Sequence, residues 1–158
     1  MSYSETIPSV IVNRCLVFNE HDEFLLLQRA PHINHSAGKY EFIGGKVDYE
    51  DVIKNLSSPN HGANVLEIAR SREIDEEADI HVEVISPLRY SVARVLDDGR
   101  YKGALYLALF SVARLTGGEV RLSSEHSDSV WAPSDRVLDY DLTPESEEAF
   151  RALSMVIG

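Results

Sequence analysis

The chain predicts a mixed α/β fold, and three observations predict it. Apolar runs of strand length, bounded by polar turn residues, fill the stretch up to residue 46 and return after residue 80. Between them lies a helical stretch, Val65–Glu77, and a second one closes the chain from about Pro144. Strands before and after a central helix, with a C-terminal helix to follow, imply layers of sheet and helix.

Val10–Phe18 and Glu23–Arg29 read as two strands around the polar turn Asn19-Glu20-His21-Asp22. Residues 30–39 carry Pro, Asn, Ser, Gly and two His, and read as a loop. Tyr40–Ile43 alternates as a short strand does and stops at the Gly44-Gly45 pair. Residues 52–64 mix turn formers with little periodicity, which predicts a surface loop. After the Val65–Glu77 helix a long strand is expected over Ile80–Leu96, with an interruption near Pro87. Asp97-Asp98-Gly99-Arg100 signals a hairpin turn into the apolar strand Tyr101–Leu115, and Thr116-Gly117-Gly118 marks the next turn. A short extended segment around Val130-Trp131 follows. One or two helices are expected between Ser134 and Val156, the last starting near Pro144-Glu145.

A length of 158 residues fits a single domain, 1–158. With 44% hydrophobic and 26% charged residues, the chain can build a core and carries no signature of disorder. Its longest apolar stretches, such as Phe24–Leu27 and Ala104–Val112, fall far short of the roughly 20 residues a membrane helix needs. No basic, apolar leader is visible at its start, so a cytoplasmic location is the expectation. The one cysteine, Cys15, excludes an internal disulfide; it lies in an apolar run and is expected to be a small buried hydrophobe. A net charge of −11 argues against nonspecific binding of a nucleic-acid polymer, which needs a basic surface. A phosphate-bearing substrate would instead need local neutralisation, and a divalent cation held by carboxylates supplies it.

The Val65–Glu77 helix breaks its own pattern. At about 100° per residue, Val65, Leu66 and Ala69 share one side, a stripe expected to face the core. That azimuth continues into Glu73, Glu76 and Glu77 instead of further apolar residues. Like charges at i, i+3 and i+4 repel, and near a helix C-terminus they also oppose the helix dipole. Rules broken locally without local compensation tend to mark functional sites. A hard cation such as Mg²⁺ or Mn²⁺, which prefers carboxylate oxygens, is one compensation. A strained or solvated acidic patch is the other reading these residues leave open.

The residues around the trio supply a context. Tyr40-Glu41-Phe42-Ile43-Gly44-Gly45-Lys46-Val47, then Asp51, then Arg72-Glu73-Ile74-Asp75-Glu76-Glu77-Ala78-Asp79-Ile80, resembles the signature of the MutT-like Nudix hydrolase family. That signature runs Gly, five residues, Glu, seven residues, then Arg-Glu-apolar-any-Glu-Glu-any-Gly-apolar. Phe24–Arg29, Glu125-His126 and Trp131 are similar to their usual counterparts. Three departures stand out. Asp51 replaces a Glu and is one methylene shorter, which weakens the expected brace to Arg72. Arg72 follows Asp51 by 21 positions where the signature has 8, an insertion of 13 residues coinciding with 52–64. Such lengthening is cheap, because closure entropy grows only logarithmically. Asp79 stands where a glycine ends the helix in a left-handed conformation, which Asp tolerates at some cost.

The resemblance implies an α/β/α sandwich around a mixed sheet, with the motif as loop-helix-loop. It implies that Glu73, Glu76, Glu77 and the Gly44 carbonyl ligate Mg²⁺ or Mn²⁺. The implied reaction is attack of a metal-activated water on a diphosphate linkage in a small-molecule nucleotide, nucleoside triphosphates first. Sugar nucleotides or ADP-ribose are the alternative substrates, and a non-catalytic Nudix-like ligand-binding module is the alternative function. Retention of all three carboxylates favours the enzyme. The general base falls to Glu73 or Glu125. Arg29 and Lys46 are candidates for holding phosphate oxygens, Arg29 through a bidentate fork, against a reading as solvated cations. Tyr40 and Trp131 are candidates for stacking on a base, although aromatics near strands more often join the core. His32, His35 and His126 are further loop candidates, and Lys39 a weaker cation. Homodimers are common in the resembling family, but no interface can be read from this chain. No competing phosphate-loop, His-Glu-x-x-His or Gly-x-Ser-x-Gly motif is present.

Overall fold

The computed structural model describes residues 8–57 and 64–157. Its strands are β1 Ser9–Phe18, β2 Glu23–Arg29, β3 Tyr40–Glu41, β4 Ile43–Lys46, β5 His81–Val95, β6 Leu105–Gly117 and β7 His126–Pro133. Its helices are α1 Tyr49–Leu56, α2 Val65–Glu77 and α3 Pro144–Ile157, with a 3₁₀ turn at Val137–Asp139. β1 runs parallel to β6 along its whole length, and β5 pairs antiparallel with β6 at the sheet edge. On its other side β1 meets β2 at Phe18 and Phe24. There the strands part. β4 takes the edge of β1 from Val12 to Cys15, while β2 pairs with β3 and β7. Both arms of this fork contribute residues to the main cleft described below.

The two-residue period of a strand sorts the side chains of β1 into two cores. Val12 and Leu16 pack with Phe42, Phe110, Phe150 and Leu153 on the side that α3 covers. Cys15 and Val17 pack with Leu25, Leu27, Ile43, Ile74 and Ala78 on the side that α2 covers. A mixed sheet therefore lies between helices, as the resemblance implied. Phe150 ties α3 down through ring contacts to Phe24 and Phe42, with centroids 5.3 and 6.2 Å away. Burial pushes the Cys15 thiol up to about 11, so it remains a neutral hydrophobe near pH 7.

Several expectations need correction. Val52–Leu56 is helical, the second part of α1, rather than loop; residues 58–63 lie outside the described residues. The helix has a built start: Asp48 Oδ1 accepts from the Asp51 N–H at 3.2 Å, and Asp51 Oδ2 accepts from the Asp48 N–H at 2.9 Å. Tyr49, Val52, Ile53 and Leu56 follow at i, i+3, i+4 and i+7, a stripe that is cut when the segment is taken to begin at residue 52. β5 passes through Pro87 without a break. It shifts register between Val84 and Ser86 and again before Tyr90, and an edge strand tolerates both shift and proline. β4 continues through the glycine pair to Lys46, and β7 extends well beyond Val130-Trp131. The turn before β6 runs to Gly103, whose N–H donates to Leu96 O at 2.7 Å. Among the described residues no helix is long and apolar enough to cross a membrane.

Candidate active site

A cleft of about 1090 Å³ is lined by β1, β4, α2, the loops around residues 33–36, 98–101 and 123–125, and the start of α3. Its wall is the glycine pair. Gly44 sits opposite Arg14 of β1 at φ 149°, where a Cβ would lie 2.0 Å from Asn13 O, so only glycine fits. At Gly45 a Cβ would meet Glu73 Oε1 at 2.5 Å. Bare backbone at both positions lets carboxylates from α2 lie directly against the strand. Glu77 Oε2 accepts the Gly44 N–H at 3.0 Å.

The acidic trio is split. Glu73 and Glu77 are buried, at 8% and 4% exposure, while the Glu76 side chain is 60% exposed. Four residues advance the helix by about 40° past a full turn, whereas Glu76 lies about 60° to the other side of Glu73. Burial pushes the Glu77 carboxyl up to about 8, in spite of the Gly44 N–H and the nearby Arg14. Burial raises Glu73 as well, against the pull of Arg72 and with the help of Glu76 and Glu125.

Arg72 braces this wall. Its Nε and Nη2 donate to the two oxygens of Asp51 at 2.8 and 3.0 Å, and Nη2 also reaches Lys46 O at 3.0 Å. The Asp in place of Glu thus forms a full bidentate pair, because α1 carries it up to the guanidinium; this hydrogen-bonded pairing holds the Asp51 carboxyl below its ordinary range. Asp79 takes the left-handed conformation expected of it, at φ 55°, and its N–H closes α2 on Ile74 O at 2.9 Å.

These groups suit a divalent cation: hard oxygens, two of them on desolvated carboxylates, beside a glycine carbonyl. Among the described residues no three His, Cys, Asp or Glu side chains are gathered at one point as they stand. Glu73 and Glu76 instead share the positive charge of Arg72 Nη1, at 2.8 and 3.2 Å.

The floor of the cleft holds a cluster in which the sequence candidates Arg29 and His126 meet Glu41 and Arg14, two residues that the sequence does not single out as site residues. Glu41, 2% exposed, receives Arg14 Nη2 at 3.2 Å, Arg29 Nη1 at 3.1 Å and His126 Nε2 at 3.0 Å. Burial alone would raise its carboxyl, but Arg14, His126 and Arg29 hold it down at about 2. Arg14 also donates to Phe42 O at 3.0 Å, while its Nε is buried without a partner among the described residues. A signal was present: in the inward series Val10, Val12, Arg14, Leu16, the arginine is the one polar member.

Of the other candidates, Arg29, Lys46, His35 and Glu125 line the cleft. Lys46 Nζ rests 4.8 Å above the ring of Tyr101, a cleft residue the sequence did not single out. Tyr40 does not line it; its ring packs edge-on against Tyr140 at 5.1 Å beside the α3-side core. Trp131 packs on the α2-side core, His126 is taken up by Glu41, and Lys39 pairs with Asp141 at 2.8 Å.

The sequence profile of the NUDIX domain matches residues 9–153. The chain belongs to the NUDIX domain family. It is a Nudix hydrolase, an enzyme of pyrophosphate bonds in a family that generally uses divalent metals. A MutT protein from Methanosarcina mazei Go1 is similar at 26% identity, with TM-score 0.68 over 93% of each chain. The NUDIX domain of Shewanella oneidensis NrtR, solved with ADP ribose, shares the fold at 17% identity and TM-score 0.68, over 100% of this chain and 94% of that one. A C. elegans Ap4A hydrolase shares it at 19% identity and TM-score 0.67, over 94% of this chain and 97% of that one. Among curated proteins no significant match is found.

Proposed function

We propose that this Nudix hydrolase cleaves a diphosphate linkage in a nucleoside triphosphate or a related nucleoside diphosphate derivative. It does so with Mg²⁺ or Mn²⁺ held by Glu73, Glu76, Glu77 and the Gly44 carbonyl, residues 9–153 acting as one catalytic unit. The observation that carries this reading is the pair of buried carboxylates laid against a glycine backbone. Burial keeps Glu77 at about 8, so its ionised form lacks a full counter-charge. When bound, a divalent cation polarises phosphate oxygens and makes water acidic enough to attack near neutral pH.

The chain's own groups divide the remaining work. Arg29, held by Glu41, presents a guanidinium to phosphate oxygens, and Lys46 supplies a second cation from the far side of the glycine pair. Glu125 serves as the general base: it lines the cleft and its carboxylate has no ion-pair partner among the described residues, whereas Glu73 is engaged by Arg72. A second substrate reading rests on size. At about 1090 Å³ the cleft lies just above the roughly 300–1,000 Å³ common for ligand pockets, and it continues to the first turn of α3. That leaves room for a second moiety beyond the nucleoside, as in a sugar nucleotide or the ADP ribose seen with the NrtR domain.

The test is a panel of nucleoside triphosphates, nucleotide sugars and ADP-ribose with Mg²⁺ or Mn²⁺, products identified by mass. Cation-dependent turnover at the diphosphate is the expected result, lost in Glu77→Gln with the fold intact. Tight binding of a panel member with no turnover under any cation would show a ligand-binding module instead.

A further inference from the structure

A second cavity, about 530 Å³, lies between α2 and the first half of β5, and it shares no lining residue with the cleft. Arg70 is its unusual member. It is 6% exposed, and among the described residues no carboxylate lies within ion-pair distance of it. Its hydrogen bond, from Nη1 to Pro87 O, is long at 3.5 Å. Arg14, buried to a similar 7%, has Glu41 at 3.2 Å and the Phe42 carbonyl at 3.0 Å. Among the described residues no nitrogen of Arg70 is both sealed from solvent and unpartnered, so the guanidinium opens towards the cavity, and a charge with so little exposed surface is ordinarily paired.

The chain is not short of carboxylates, with 26 Asp and Glu. Two of them, Glu67 and Asp75, line this cavity on the same helix, and neither comes within ion-pair distance of Arg70. Ile74, Ile80, Val82 and Val84 supply apolar wall. The arrangement is that of a ligand pocket, an apolar wall beside one cation, with two carboxylates that leave that cation unpaired.

We propose that this cavity is a second, non-catalytic binding site, in which Arg70 receives a small ligand with a single oxyanionic group, a carboxylate or a phosphate, on an apolar body. The guanidinium fork matches either oxyanion in a bidentate manner. Glu67 and Asp75 set the charge limit: they repel a polyanion, so a nucleoside triphosphate suited to the cleft is disfavoured here. The competing account makes Arg70 a strut that holds the irregular stretch of β5 around Pro87.

The two accounts differ in amide chemical shifts of the full chain titrated, metal-free, with butyrate, butyl phosphate and butylamine. The site predicts saturable shifts at Ser71, Asp75, His81 and Val82 with butyrate or butyl phosphate, and none with butylamine. The stronger binder of the two tells a carboxylate source from a phosphate source. Glu67→Gln removes a rim charge and is expected to tighten anion binding about threefold; Arg70→Met is expected to abolish it. Should Arg70→Met fail to fold, Arg70→Lys, which keeps the charge without the fork, is expected to weaken binding severalfold with a native spectrum. Equal shifts with butylamine, shifts surviving in Arg70→Met, no weakening in a folded Arg70→Lys, or weaker binding in Glu67→Gln would overturn the site.

Discussion

Glu41 and Glu77 are buried carboxylates of one cleft region, 2% and 4% exposed, and their titrations are displaced in opposite directions. Glu41 is held down at about 2 and Glu77 is pushed up to about 8. Burial does not distinguish them, since it raises both. Counter-charge does. Glu41 has two guanidinium groups and an imidazole within 3.2 Å, whereas the hydrogen bond to Glu77 is a single backbone N–H at 3.0 Å. A carboxylate with its cations built in organises the protein; one without them is left for something that binds. Arg14 and Arg70 repeat the contrast with the sign of charge reversed.

The comparison can be broken at its strongest point first. Glu41→Gln leaves the buried Arg14 and the half-buried Arg29 without their anion, and is expected to cost about 3–5 kcal/mol in chemical denaturation. A loss below about 1 kcal/mol would mean that the cluster is not what holds the floor together. Glu77→Gln is expected to act on chemistry instead, lowering turnover by about 10²–10³-fold while the unfolding midpoint holds or rises. Unaltered steady-state rates in that variant would remove Glu77 from the reaction.

Acidity sharpens the same contrast. The folded value of Glu41 lies below its ordinary 4.5, so the stability it contributes is complete above that pH and is lost as pH falls through about 2. The folded value of Glu77 lies above its ordinary 4.5, so its contribution is complete below that pH and is lost as pH rises through about 8. The effects are on the order of 3 kcal/mol for Glu41 and 5 kcal/mol for Glu77. Urea midpoints of the metal-free protein should therefore peak between the two windows, and saturating Mg²⁺ should remove the alkaline decline only. A flat profile with chelator would show that neither carboxylate is displaced. The smallest effect is expected away from both. Asp79→Gly relieves a left-handed residue at the end of α2 and should stabilise the protein by about 1 kcal/mol, with turnover unchanged.

Local features were readable wherever a local rule governed them. α2 begins and ends where its pattern and caps place it, β2 spans the residues its apolar run marks, and Asp79 adopts the turn demanded at a helix end. α1 is not legible locally because its capping box and apolar stripe straddle the boundary of the turn-rich stretch. Spacing alone groups Glu76 with Glu73 and Glu77, since it does not say where the sheet lies relative to the helix; β4 selects the i, i+4 pair. Tyr40 occupies an aromatic position near the cleft in sequence, yet the parallel bridge to Leu142 turns this segment towards Tyr140.

The order of residues carried the reaction class through its resemblance to the Nudix signature, in a glycine pair, an arginine and three carboxylates; the spacing of the carboxylates alone left an acidic patch open. It also determined that β1 carries one charged side chain in an apolar series. Only the tertiary structure decided which buried charge is satisfied. Glu41 meets Arg14 from 27 positions away and His126 from 85, and among the described residues Arg70 meets no carboxylate although five stand on its own helix. A side chain's protonation depends on what surrounds it in space, and those neighbours are brought together by strand pairing across the fold rather than by proximity along the chain.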